Sequence, residues 1–156
     1  LEFVDDVVDE LGSREEVEVV KEIVRELLGR RIPGGAVAEK DILVVAPYNL
    51  HVRMLQRALG PTARVGTVDK FQGQEAAIVI CSMAASDAHS SPRGMEFLLD
   101  LNRLNVALSR AQSLAILVAS SRLARAEAGT IRQVTLLNTF CRAVAEGSGP
   151  ITELPG

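Results

Sequence analysis

Three apolar, largely β-branched runs limit the folds open to this chain: Ile42-Leu43-Val44-Val45-Ala46, Ala77-Ile78-Val79-Ile80-Cys81 and Leu114-Ala115-Ile116-Leu117-Val118-Ala119. None alternates polar with apolar residues. Each therefore reads as a strand covered on both faces, the condition of strands in a parallel sheet. A shorter run, Arg64-Val65-Gly66-Thr67-Val68, reads as a fourth strand. Parallel strands need long crossover connections, and segments of helical periodicity fall between these runs.

Ser13 followed by Glu16 has the spacing of a capping box, and Val17, Val20, Val24, Leu27 and Leu28 then fall on one helical face. Gly29 stops this helix, and Ile32-Pro33-Gly34-Gly35 is a turn-rich connection. Further helices are predicted over 50–59, closed by Gly60-Pro61, and over 97–110 and 131–145. The alternation predicts one doubly wound α/β domain over residues 1–146, with helices on both faces of a parallel sheet and right-handed crossovers. Residues 147–156 read as a flexible tail, and the chain has no internal repeat. In such folds ligands gather at the carboxyl ends of the strands, where the polar segment 84–94 leaves the second long run.

Composition agrees with one globular domain. Apolar residues make up 47% and charged residues 24%, too apolar for a disordered tail, while only 3% aromatics leave the core to Val, Leu, Ile and Ala. No apolar stretch approaches the roughly 20 residues of a membrane helix. Glu2, Asp5 and Asp6 stand where a signal peptide would need cations and apolar residues, so a cytoplasmic protein is expected. Leu1 in place of Met points to a fragment. Cys81 and Cys141 lack metal-ligand or disulfide spacing and read as reduced core or near-core thiols.

A net charge of −3 argues against a general nucleic-acid coat protein. Its distribution is uneven. Arg103, Arg110, Arg122 and Arg125 fall between Leu101 and Ala126 without one acid, whereas the first thirty residues are acidic. That split suits one local anion site on an acidic body.

Elimination narrows the chemistry. No GxxxxGK(S/T) phosphate loop occurs, and Gly34-Gly35 precedes a strand instead of joining a strand to a helix. His51 and His89 are isolated, Asp69 and Asp87 have no convincing partner, and no metal-ligand cluster is expected. These absences argue against a hydrolase complete within this chain. Three segments remain, each tied to a predicted strand: Val45-Ala46-Pro47-Tyr48-Asn49-Leu50-His51, the stretch Val65 to Glu75 containing Phe71-Gln72-Gly73-Gln74-Glu75, and Asn102 to Ala111.

These segments resemble motifs IV, V and VI of superfamily 1 helicases, in the branch of the up-frameshift RNA helicase and the Dna-two nuclease-helicase. Bacterial proteins that fuse such a helicase to a RecB-like nuclease are the most similar. The FQGxE and RLNVALSRA strings carry the resemblance, which spans residues 13 to 146. It implies a RecA-like fold, the second motor domain (2A) of an ATP-dependent 5′-to-3′ DNA helicase. The first motor domain would hold most of the ATP and Mg2+. This domain would be inactive as an ATPase alone.

By the same resemblance Arg110 is the arginine finger, a long planar cation held at its base where a helix meets a strand. Arg103, seven residues earlier, should point to the same side, for ATP contact or a structural ion pair. Glu75 would accept the ribose hydroxyls, Gly73 would allow close backbone approach, and Gln72 would lie in the same cleft. Thr67, Pro47 and Tyr48 would meet single-stranded DNA, with RNA the alternative; Tyr48 could equally pack beneath its loop. Lys70 would neutralise a phosphate or remain solvated. Two positions depart from the motif IV pattern, His51 where glutamine is usual and Ala46 where the eukaryotic branch has threonine. The expected partners are the first motor domain of the same protein and a RecB-like nuclease domain. The rival readings are a non-catalytic RecA-like interaction module and an unrelated nucleotide- or cofactor-binding α/β enzyme. The latter is disfavoured because no GxGxxG turn is present.

Overall fold

A computed structural model describes residues 2–3, 14–84, 96, 99–119 and 128–146. Its strands are β1 (Glu2–Phe3), β2 (Arg31–Ile32), β3 (Gly35–Ala36), β4 (Ile42–Val45), β5 (Arg64–Gly66), β6 (Ala76–Ser82) and β7 (Ala111–Ala119). The helices are α1 (Arg14–Leu27), α2 (Asn49–Leu59), α3 (Leu101–Leu108) and α4 (Ile131–Glu146). Five strands form one parallel sheet in the order β1-β7-β6-β4-β5, and every adjacent pair runs parallel. The fold is α/β with a parallel sheet, as the three apolar runs predict, and is RecA-like, as the motif resemblance implies.

Strand alternation divides the core in two. Leu43 and Val45 of β4 and Val79 and Cys81 of β6 join Leu104 and Ala107 of α3, with Leu136 and Leu137 of α4 packed beside them. The intervening residues, Ile42, Val44, Ile78 and Ile80, join Val17 and Val20 of α1 and Leu55 of α2. Helices therefore cover both faces, and the buried strand residues need no polar side.

β7 departs from this rule. Gln112 to Ala115 are exposed, and burial is complete only from Leu117 to Ala119. The reason lies in the pairing. β6 borders the strand on one side, but on the other β1 reaches only Val118 and Ala119, leaving the amino half of β7 at the sheet edge.

Local differences have local causes. Ile32 to Gly35 close a short antiparallel hairpin, β2 with β3, within the predicted turn. The helix expected over 97–110 spans Leu101–Leu108 and is capped by Asp100, whose carboxylate accepts the Asn102 amide at 3.0 Å. Phe97 lies outside the described residues, as do Ser13, residues 85–94, Arg122, Arg125 and the tail 147–156. The capping box expected of Ser13 and Glu16 involves a residue outside the described ones; the Glu16 carboxylate is buried and accepts the Ser82 hydroxyl and the Ala84 amide.

Gly66 ends β5 where the chain folds sharply back. A Cβ there would stand 2.5 Å from Lys70 Cδ and 2.8 Å from the Phe71 ring, and Phe71 is buried. Gly66→Ala should therefore lower unfolding stability by about 1–3 kcal/mol through overpacking. Urea denaturation checks this, and an unchanged midpoint would remove close approach as the reason for glycine.

Candidate functional site

The expected site residues divide between opposite edges of the parallel sheet. At the amino edge, Arg110 stands between the end of α3 and the start of β7, as expected of a cation with a fixed base. Its carbonyl accepts the Ala76 amide at 3.1 Å and its amide donates to Ala107 at 3.3 Å, so both neighbouring elements hold its main chain. One terminal guanidinium nitrogen donates to the Gln74 carbonyl at 3.2 Å, while Nε is buried with no hydrogen-bond partner among the described residues.

Next to Gln74, Glu75 is exposed and accepts from Gln112 Nε2 at 3.1 Å. The Gln74 side chain accepts from Arg64 at 3.0 Å, and Arg64 also donates to the Lys40 carbonyl at 2.8 Å. This lacing ties the starts of β4, β5, β6 and β7 together and holds the Arg110 guanidinium at the Gln74 carbonyl, one residue before Glu75. Gln72 and Gly73 lie exposed on the same connection. Gly73 has a φ of +79°, left-handed backbone that other residues adopt rarely, and this turn is sufficient reason for glycine.

At the carboxyl edge, Pro47 and Thr67 come together. With Ala46, Val68, Met83 and Arg103 they line a small pocket of about 40 Å3 at the ends of β4, β5 and β6. Tyr48 packs against the core on the α3 side. Lys70 Nζ donates to the Val65 carbonyl at 2.9 Å and lies 5.3 Å from the Phe71 ring centre, which spends one of its three donors internally.

Arg103 does not stand with Arg110. α3 ends at Leu108, so the two-turn helical spacing does not extend to Arg110. Arg103 instead pairs with Asp69 at 3.8 Å and Asp100 at 3.7 Å. Both arginines reach the connection between β5 and β6, Arg103 at its start and Arg110 at its end. Asp69 therefore has a partner, which the sequence did not reveal because the two lie 34 positions apart.

Behind the carboxyl edge lies a cluster that sequence reasoning missed. Glu16, His51 and Ser82 are each fully buried. His51 Nε2 lies 2.8 Å from Ser82 Oγ, and the Ser82 hydroxyl donates to the Glu16 carboxylate. A signal existed: Glu16 falls four residues before Val20 and eight before Val24, on the apolar face of α1. Burial pushes His51 down to about 4. It also pushes the Cys81 thiol up to about 12, with the Glu16 charge adding to the effect. Cys81 is thus an inert core thiol, and neither it nor the partly buried Cys141 forms a disulfide among the described residues.

Among the described residues no His, Cys, Asp or Glu group of three or more is arranged to hold a metal ion. No described helix is long and apolar enough to cross a membrane.

Fold and sequence together define a RecA-like α/β domain without a phosphate loop of its own. A family model described as an AAA domain matches residues 5–122, most of the chain, and the chain belongs to that family. It is 33% identical over 142 residues to a DNA replication ATP-dependent helicase/nuclease of Arabidopsis thaliana, a match covering 90% of this chain and 10% of that protein. It is 36% identical over 112 residues to an uncharacterized ATP-dependent helicase of Methanocaldococcus jannaschii, covering 70% of this chain and 15% of the relative. The DNA-binding protein SMUBP-2 of Mesocricetus auratus is 32% identical over 114 residues, covering 71% and 11%. These matches identify a superfamily 1 helicase domain. The chain spans about a tenth of the length of the first of these curated relatives.

His51 supplies a measurable test of the buried cluster. Its folded value, about 4, lies below the ordinary 6.5, so the fold favours the neutral ring. The associated stability is fully present above pH 6.5 and is lost as pH falls towards 4, by about 3 kcal/mol in all. His51→Gln should flatten the decline in denaturation midpoint across that window. A decline of unchanged slope in the variant would assign the titration to other groups.

Proposed function

We propose that this chain is the second motor domain (2A) of an ATP-dependent superfamily 1 DNA helicase or translocase. On this reading it completes an ATPase centre whose phosphate loop and magnesium site belong to a first motor domain in the same longer protein. The observation that carries the reading is Arg110, fixed through its main chain by α3 and β6, with its guanidinium bonded to the Gln74 carbonyl next to Glu75 in the chain at the amino edge.

The residues present fit part of an ATP site. Arg110 is held at its base by buried structure, and its Nε lacks a hydrogen-bond partner among the described residues. A guanidinium whose position is set before the cleft closes loses little freedom on meeting a phosphate. Glu75 offers a carboxylate to ribose hydroxyls, and Gln72 and Gly73 expose the turn between these groups and β5. Bound ATP supplies the γ-phosphoryl group, and the first domain supplies its magnesium. This chain has no loop to cradle the phosphates, so an arginine and a carboxylate at one edge are its share of the centre.

The carboxyl edge suits the single-strand track. Thr67 and Pro47 line one pocket at the ends of adjacent parallel strands, where open α/β sheets bind ligands. Lys70, with two ammonium donors not used by Val65, stands beside the end of β5 to meet a phosphate. Tyr48 contributes by packing beneath this loop. Arg103 braces the edge through Asp69 and Asp100 rather than meeting ATP. Single-stranded DNA is the favoured track occupant because relatives carry DNA-replication and DNA-binding names. The 5′-to-3′ direction, a RecB-like nuclease partner and a cytoplasmic setting belong to the same reading.

The rival reading, a RecA-like interaction module without catalysis, gives no reason for Arg110, Glu75 and Gln72 to share one exposed edge. In the full-length protein, Arg110→Ala should lower kcat for ATP hydrolysis by on the order of 10³ or more while ATP binding survives. The 156-residue chain alone should show negligible turnover. Robust phosphate release by that chain, or an Arg110→Ala enzyme of normal kcat, overturns the assignment.

A further inference from the structure

We propose that Glu16, His51 and Ser82 form a buried positioning network that sets the nucleic-acid track from behind the sheet. This rests on the motor-domain reading and names three positioning residues that touch neither proposed ligand. The network joins three elements at the carboxyl edge: Glu16 from α1, His51 from the first turn of α2, and Ser82, the last residue of β6.

Strand alternation makes Ser82 the rear handle of the pocket wall. Cys81 and Met83 line the pocket, so Ser82 between them turns to the opposite face, where it meets Glu16 and His51. The Glu16 carboxylate also accepts the Ala84 amide at 2.9 Å. Ala84 has a φ of +63°, a left-handed backbone that a non-glycine residue adopts only where its surroundings impose it. Glu16 thus holds the chain in this conformation where it leaves β6. Just before it, Met83 makes a ladder hydrogen bond to Val118 at 3.0 Å.

His51 performs the same service for the other wall. It lies four residues after Pro47 on the connection out of β4, and its bond to Ser82 ties the start of α2 to the end of β6. Pro47 and Met83 both line the pocket that the motor reading assigns to nucleic acid. Stability alone does not call for this arrangement. A buried carboxylate is costly to desolvate, and well-packed apolar residues of like volume often do as well or better. What hydrogen bonds add is direction, because each partner is held at one distance and angle.

The amino edge is separate. Arg110 and Glu75 bond to Gln74 and Gln112, and none of these touches the network. Breaking the network should therefore loosen the track and spare the ATP side. The test compares wild type, Ser82→Ala, Glu16→Gln, His51→Gln and His51→Leu in the full-length protein. ATPase is measured with and without oligothymidylate, and amide hydrogen exchange is read at Ala84. In Ser82→Ala, Glu16→Gln and His51→Leu, the oligothymidylate concentration for half-maximal stimulation should rise about tenfold, within the range seen for such indirect coupling. Ala84 exchange should quicken, while unstimulated kcat and the KM for ATP stay within about twofold of wild type. His51→Gln, whose amide can still donate to Ser82, should keep wild-type behaviour.

Equal losses in stimulated and unstimulated turnover would reduce the network to a stability element and overturn the proposal. So would faster Ala84 exchange with unchanged half-stimulation. Should wild type show no ATPase at all, the motor reading fails separately. Fluorescence anisotropy with labelled oligothymidylate then decides the network, which stands only if affinity and Ala84 protection fall together.

Discussion

β6 runs between β4 and β7, and the continuous apolar character of its centre is the constraint on which the molecule depends. Ile78, Val79 and Ile80 are completely shielded from water, which requires a helical layer on each side of the sheet. α1 and α2 supply one layer and α3 and α4 the other. Because successive residues of a strand face opposite ways, the same seven-residue segment anchors both cores at once. Burial at about 25 cal/mol per Å2 of apolar surface makes this the main stabilising term. Loss of either helical layer would expose half of every central strand.

Parallel pairing has a consequence for function. When all strands of a sheet point one way, their starts gather at one edge and their ends at the other. The connection from β5 to β6 must return across the sheet, from Thr67 at the carboxyl edge to Glu75 at the amino edge. α3 makes the same return from Asp100 to Arg110. These two connections lie side by side and are cross-linked at both ends, by Arg103 to Asp69 and by Arg110 to Gln74. In the proposed motor, one rigid pair of connections spans the distance between the nucleic-acid track and the ATP centre. A shift at either end has a short, stiff path to the other.

The polar cluster behind the carboxyl edge contrasts with these exposed contacts. The ion pairs of Arg103 are partly solvated and contribute little to stability. Glu16, His51 and Ser82 are sealed from water, where each lost hydrogen bond leaves an uncompensated polar atom. Burial accordingly holds the imidazole neutral. The side chain points into the protein and bonds to Ser82, so a substitution at His51 alters an internal contact.

The local sequence by itself determined the strands, the helices and the two-sided sheet, because hydrophobic periodicity and turn residues act over a few neighbours. Ile42 to Val45, Ala76 to Ser82, and the helices ending at Leu59 and starting at Ile131 lie close to where their patterns put them. The same local strings, FQGxE and RLNVALSRA, marked Arg110, Glu75 and Gln72 as candidates. Only the tertiary structure decided which of them meet. Arg103 is separated from Arg110 because α3 ends at Leu108, and the amino half of β7 is exposed because β1 covers only two of its residues. Glu16 finds Ser82 across 66 positions, an encounter that no local pattern encodes. Pairings of that kind depend on strand order and on which face each residue takes, and both arise only when the sheet assembles.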